Sequence, residues 1–135
     1  VMLPQEFLVS KSSSITKFFV SKKFKDYKLL GHCIEKVDAQ FSQKQWKDLF
    51  RCFDLSLDVI EVGCCGMAGT YGHETEHYED SFGIYKLSWK KNIPENHYNR
   101  ENVLVTGFSC RNQILRFEGY RPLHPIQALL REMSV

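Results

Sequence analysis

Five cysteines, Cys33, Cys52, Cys64, Cys65 and Cys110, are the residues of this sequence best suited to chemistry. Cys64 and Cys65 are adjacent and enclosed by glycines, in Gly63-Cys64-Cys65-Gly66. Adjacent thiols are awkward partners for a disulfide, whereas two thiolates side by side suit a soft metal ion or an iron–sulfur cluster. Gly63 and Gly66 allow the unusual backbone that aims both side chains at one centre. An odd number of cysteines, with no secretory signal, speaks for a reducing, cytoplasmic setting and against a disulfide framework. Cys52 falls inside a helical pattern and is expected to pack there.

Three apolar stretches are expected to form strands, each leading into one or two of the other cysteines. Residues 27–32 run into Cys33, residues 58–62 into Cys64 and Cys65, and residues 102–106 towards Cys110. Helical patterns follow them. Trp46, Leu49, Phe50 and Phe53 share one face over 42–53, with Ser42 as a cap. Tyr78, Phe82, Tyr85 and Trp89 share one over 73–89, and Ile126, Leu129 and Leu130 one over 125–133, where Pro125 takes the first helical position. Strand, cysteine turn and helix in repetition predict one α/β domain over residues 1–135. Its small parallel β-sheet would carry flanking helices in a Rossmann-like, three-layer arrangement. Loops that follow parallel strands gather at the carboxyl edge of the sheet. Cys33, Cys64, Cys65 and Cys110 are therefore expected to converge there, and a helix starting just after Gly66 would turn its amides towards the thiolates. Residues 10–14 read as a loop or helix edge and residues 92–96 as a loop. Val1-Met2-Leu3 reads as the tail of a buried strand, so the chain is expected to be a fragment of a longer one.

The stretch Gly63-Cys64-Cys65-Gly66-Met67-Ala68-Gly69-Thr70-Tyr71-Gly72 resembles the cysteine-rich CCG motif of the heterodisulfide-reductase and anaerobic glycerol-3-phosphate dehydrogenase subunits. Three flanking segments carry the likeness further: His32-Cys33-Ile34-Glu35-Lys36, 106–113 and 123–130. From about Leu3 to Leu130 the chain is similar to the C-terminal end of large bacterial FAD/[4Fe-4S] oxidoreductases of the D-lactate and D-2-hydroxyglutarate dehydrogenase kind. That resemblance implies a [4Fe-4S] cluster or a zinc ion on Cys33, Cys64, Cys65 and Cys110. It also implies FAD in another domain of the parent enzyme and a D-2-hydroxy acid as the parent's substrate. One departure stands out. The family's Cys-x-x-Cys is here Gly107-Phe108-Ser109-Cys110, so its first thiol is absent. Four thiolates can still hold one cubane cluster or one zinc, and a ring nitrogen of His32 or His124 is an auxiliary candidate. The competing reading is a metal-free structural or interaction domain whose cysteines are small buried residues at strand ends.

His73-Glu74-Thr75-Glu76-His77 matches HExxH, which on a helix places two histidines over one zinc with the glutamate as base. The acidic Glu79 and Asp80 follow, so the segment is expected to be a solvated first helical turn, and a zinc hydrolase is only a remote alternative. A net charge of +2 gives no reason to expect nucleic acid as a partner. No apolar run is long enough to span a bilayer; any membrane contact would be peripheral, at the inner membrane. Lys22, Lys23, Lys25 and Lys28 form a small basic patch, read as solvated surface. Trp46, Trp89 and the phenylalanines are expected in the core. The isolated domain is expected to be inactive, its partners being the other domains of the parent oxidoreductase.

Overall fold

The computed structural model describes residues 1–19, 25–38 and 40–133. Its centre is a sheet of three parallel strands, β1 (Asp26–Leu30), β2 (Ser56–Ile60) and β3 (Val103–Val105), in the order β2-β1-β3. Leu29 lies opposite Val59 on one side and Leu104 on the other. The α/β expectation therefore holds, with each strand starting or ending a residue or two away from the limits read in the sequence.

Alternation along the strands sends successive side chains to opposite faces and makes two cores. On one face Tyr27, Leu29, Leu57 and Leu104 meet Trp46, Leu49 and Phe50 of α4 (Gln40–Cys52) and Leu129 of α8 (Pro125–Glu132). On the other, Leu30, Val103 and Val105 meet Tyr85 of α5 (Tyr78–Ser88), Trp89 and Ile114 of α7 (Phe108–Glu118). Helices thus cover both faces, as parallel sheets require. Both tryptophans are fully buried as expected, whereas Phe7, Phe18, Phe41 and Phe108 are exposed.

Several local expectations are corrected. Val1-Met2-Leu3 is exposed and leads into helix α1 (Pro4–Ser10), with no buried strand. Residues 10–14 do hold helix edges, since α1 ends at Ser10 and a short helix, α2, covers Ser12–Ile15. Gly66 is followed by turns and two 3-10 segments, Tyr71–His73 and Thr75–His77, and helix α5 begins only at Tyr78. Lys22 and Lys23 lie outside the described residues, while Lys25 pairs with Glu132 at 2.8 Å. Between the strands, α3 (Cys33–Asp38) and α6 (His97–Arg100) complete the helices.

Helix α8 is fixed by a reciprocal cap. His124 Nδ1 accepts the Ile126 N–H at 3.2 Å, and the His124 N–H donates to Gln127 Oε1 at 2.9 Å. The imidazole meets Trp46 edge-on at 5.6 Å. Burial first, and then the Arg111 charge, lower its pKa to about 4.

Two stability predictions arise. Leu29→Ala leaves a cavity under the central strand and is expected to cost roughly 2–5 kcal/mol in urea unfolding. For His124, the unfolded chain binds a proton near pH 6.5 while the folded chain stays neutral until about pH 4. Its contribution is intact above that upper limit and is lost as pH falls through the window, by less than the ~3 kcal/mol of the full shift because solvent screens the partly exposed ring. His124→Asn keeps an acceptor for the cap, so its stability should fall less between pH 7 and about 4.5 than that of the parent.

Candidate functional site

Cys33 opens α3, Cys64 and Cys65 stand in the turn after β2, and Cys110 is the third residue of α7. Each segment leaves the carboxyl end of a strand in one three-stranded sheet, so the four thiols come to a common edge from distant parts of the sequence. They feel one another electrostatically. Burial, and then Cys64 and Cys65, push the Cys33 thiol up. Cys110 is pushed well above the ordinary thiol range by its hydrogen bond with Cys65 and by burial, with smaller contributions from Cys65, Cys33 and Cys64. The neighbouring Cys110 in turn holds Cys65 down to about 7. Of the two, Cys65 is the sulfur more easily ionised. Cys65 and Cys110 are buried, Cys33 is half-buried and Cys64 exposed. Cys52 is exposed too, which corrects its expected packing role.

The Gly63–Gly66 turn is held by side chains from two helices. The Gly63 N–H donates to Ser88 Oγ and Trp89 Nε1 donates to the Gly63 carbonyl, both at 2.9 Å. Gln113 Nε2 donates to the Cys65 carbonyl at 2.9 Å and to Ser81 Oγ at 2.6 Å. Ser81 Oγ in turn donates to the Gly66 carbonyl at 2.8 Å. Gly66 has φ of +88°, and a Cβ there would lie 2.3 Å from the Ser81 carbonyl oxygen. No other residue fits this conformation and this contact together. In place of the expected helix N-terminus, local amides address the thiols of this turn, as where the Gly66 N–H donates to Cys64 Sγ at 3.3 Å.

Sequence reasoning missed Ser81, Ser88 and Gln113. Ser81 and Ser88 share the stripe of Tyr78, Phe82, Tyr85 and Trp89, and Gln113 follows Cys110 by one helical turn. A polar residue at core-facing spacing was the available signal, because such groups are kept only where they are hydrogen-bonded.

A second set of bonds ties the loops after β1 and β3. The His32 N–H donates to Thr106 Oγ1 at 3.3 Å, and Thr106 Oγ1 donates to Glu35 Oε2 at 2.9 Å. Burial raises the Glu35 pKa. His32 Nδ1 accepts the Ile34 N–H at 3.2 Å. The rings of both auxiliary candidates, His32 and His124, thus spend Nδ1 on a backbone amide, and both line a cleft of about 490 Å³ with Trp46 and Phe108.

Among the described residues, no three histidine, cysteine, aspartate or glutamate side chains are grouped closely enough to hold a metal ion as placed. The four sulfurs match a thiophilic group in donor type and in their common edge. The HExxH segment does not form its expected helical turn: Glu74 is extended between two 3-10 segments, and His77 stacks on Tyr71 at 3.9 Å and pairs with Glu74 at 3.3 Å. No helix among the described residues is long and apolar enough to cross a membrane.

No family model and no solved structure matches the chain. Curated relatives do. Over 130 residues, 96% of the chain, it is 43% identical to D-2-hydroxyglutarate dehydrogenase of Escherichia coli (strain K12), matching 12% of that protein. Over 102 residues, 76% of the chain, it is 48% identical to D-2-hydroxyglutarate dehydrogenase of Pantoea ananatis (strain AJ13355), matching 10% of it. One component polypeptide of the anaerobic glycerol-3-phosphate dehydrogenase of Escherichia coli (strain K12) is 32% identical over 80 residues, 59% of the chain and 19% of that polypeptide. The chain spans about a tenth of the length of the D-2-hydroxyglutarate dehydrogenases it matches. It is thus homologous to a segment of these larger oxidoreductases, and shares part of that segment with the glycerol-3-phosphate dehydrogenase component.

Proposed function

We propose that this chain is the cysteine-rich, C-terminal domain of an FAD-linked oxidoreductase that oxidises a D-2-hydroxy acid of the D-2-hydroxyglutarate kind. Its thiols would hold one [4Fe-4S] cluster or one zinc ion, with FAD and the substrate in other domains of the parent. The observation that carries this reading is that Cys33, Cys64, Cys65 and Cys110 all stand beyond the carboxyl ends of three parallel strands of one sheet. The relatives' names support the parent's activity.

A cluster at this edge supplies one-electron transfer, and a zinc ion supplies structure. The chain's own part is to present sulfur. Ser81, Ser88, Trp89 and Gln113 hold the Gly63–Gly66 turn, the Gly66 N–H donates to Cys64 Sγ, and Cys110 lowers the pKa of Cys65. The setting proposed is cytoplasmic, at most peripheral to the inner membrane.

A second reading has an observation of its own. Cys65 and Cys110 are buried among the apolar residues of the second core, where a purely structural domain would keep small side chains. Iron, acid-labile sulfide and zinc analysis of chain purified without oxygen, with an ultraviolet–visible spectrum, separates the two. Stoichiometric metal is expected, lost in Cys64→Ser and Cys110→Ser and kept in Cys52→Ser. A folded, colourless, metal-free chain would overturn the metal centre and leave the structural reading.

A further inference from the structure

Gly107 stands where the related motif carries its extra thiol, and its surroundings leave no room for one. A Cβ at this position would lie 2.3 Å from His32 Cδ2, 3.0 Å from His32 Cγ and 2.9 Å from Cys110 Sγ. The first of these is shorter than side chains tolerate, and the obstructing atoms belong to a ring, not to the tip of a flexible chain. That ring is held. The His32 backbone N–H is bonded to Thr106 Oγ1, and Nδ1 accepts the Ile34 amide at the start of α3. Swinging the imidazole aside forfeits the second bond and exposes an amide of the helix terminus. Gly107 is itself the N-cap of α7, so it cannot retreat without moving Cys110.

The hydrogen bonding also says what the ring is not. An uncharged imidazole that accepts at Nδ1 carries its proton on Nε2. Nε2 is then a donor, whereas a metal ligand must offer a lone pair. The ring lies beside the Cys110 sulfur and lines the neighbouring cleft.

We propose that His32 and Gly107 form a matched pair, in which the imidazole fills the space of the absent thiol and limits the site to the thiolates of Cys33, Cys64, Cys65 and Cys110. The ligand count rests on the metal centre proposed above; the pairing rests on geometry alone. His32 is on this account a positioning residue, which walls Cys110 and decides how many sulfurs the edge can present. The glycine cannot take a side chain while the histidine stands beside it.

Gly107→Cys, His32→Ser and the double variant test this in the 135-residue chain, since serine keeps an oxygen to accept the Ile34 amide. Two quantities are read: the thermal midpoint, and the number of thiols protected from a thiol reagent by bound metal, with the absorption and electron paramagnetic resonance spectra. Gly107→Cys alone should lower the midpoint by about 5 °C or more and leave four protected thiols. The double variant should recover most of that loss, protect a fifth thiol and change the spectrum. A Gly107→Cys chain as stable as the parent, or additive losses in the double variant, would overturn the pairing. A double variant that regains stability but still protects four thiols would overturn the ligand-count role. A parent chain with no metal ends that role together with the proposed function, and the thermal cycle still decides the pairing.

Discussion

The Gly63–Gly66 turn is the constraint on which the arrangement depends. A turn that sends one cysteine into the core and its neighbour to the surface cannot satisfy its own backbone groups through helix or sheet, and a buried amide or carbonyl left unpaired costs about 1–3 kcal/mol. Ser81, Ser88, Trp89 and Gln113 supply the missing partners, from α5, the residue that ends it, and α7. The two helices must therefore pack at fixed heights against the turn. Cys110 rides on the first turn of α7, so the bond from Gln113 to the Cys65 carbonyl also sets where Cys110 meets Cys65. Site geometry and core packing are one structure here.

The sheet beneath plays a simpler part. Strand β1 is central and buried on both faces, with Leu29 and Leu30 each fully enclosed in a different core. Because β2 and β3 pair with it in parallel, all three strands point the same way, and whatever follows them must emerge at the same edge. Thr106, at the end of β3, and His32 and Glu35, after β1, lock two of these exits together by hydrogen bonds. The third exit is the turn already described.

Much of this is legible in the sequence. The spacing of Trp46, Leu49 and Phe50, the three apolar stretches and the cysteines behind them imply the layers and the edge, because burial periodicity and parallel topology leave few alternatives. The turn after Gly66 is not legible. The apolar stripe predicts a helix there, but the stripe starts at Tyr78, and the glycines at 66, 69 and 72 favour turns over helix. Cys52 misleads because it borders a buried stripe without belonging to it. The fit of His32 against Gly107 lies between residues 75 positions apart (107 − 32) and leaves no periodic trace in either segment.

The sheet order has a consequence for how the chain reaches this state. Leu29 pairs with Val59 across 30 residues (59 − 29) and with Leu104 across 75 (104 − 29). As the polypeptide emerges from the ribosome, β1 and β2 can dock early, but the second edge of β1 has no partner until β3 follows. During that interval an apolar strand edge is open to any neighbouring chain. A topology this non-local folds slowly, so its hazard is greatest before it is complete. Chaperone occupancy during synthesis should accordingly centre on the interval between β2 and β3, which also contains the cysteine turn.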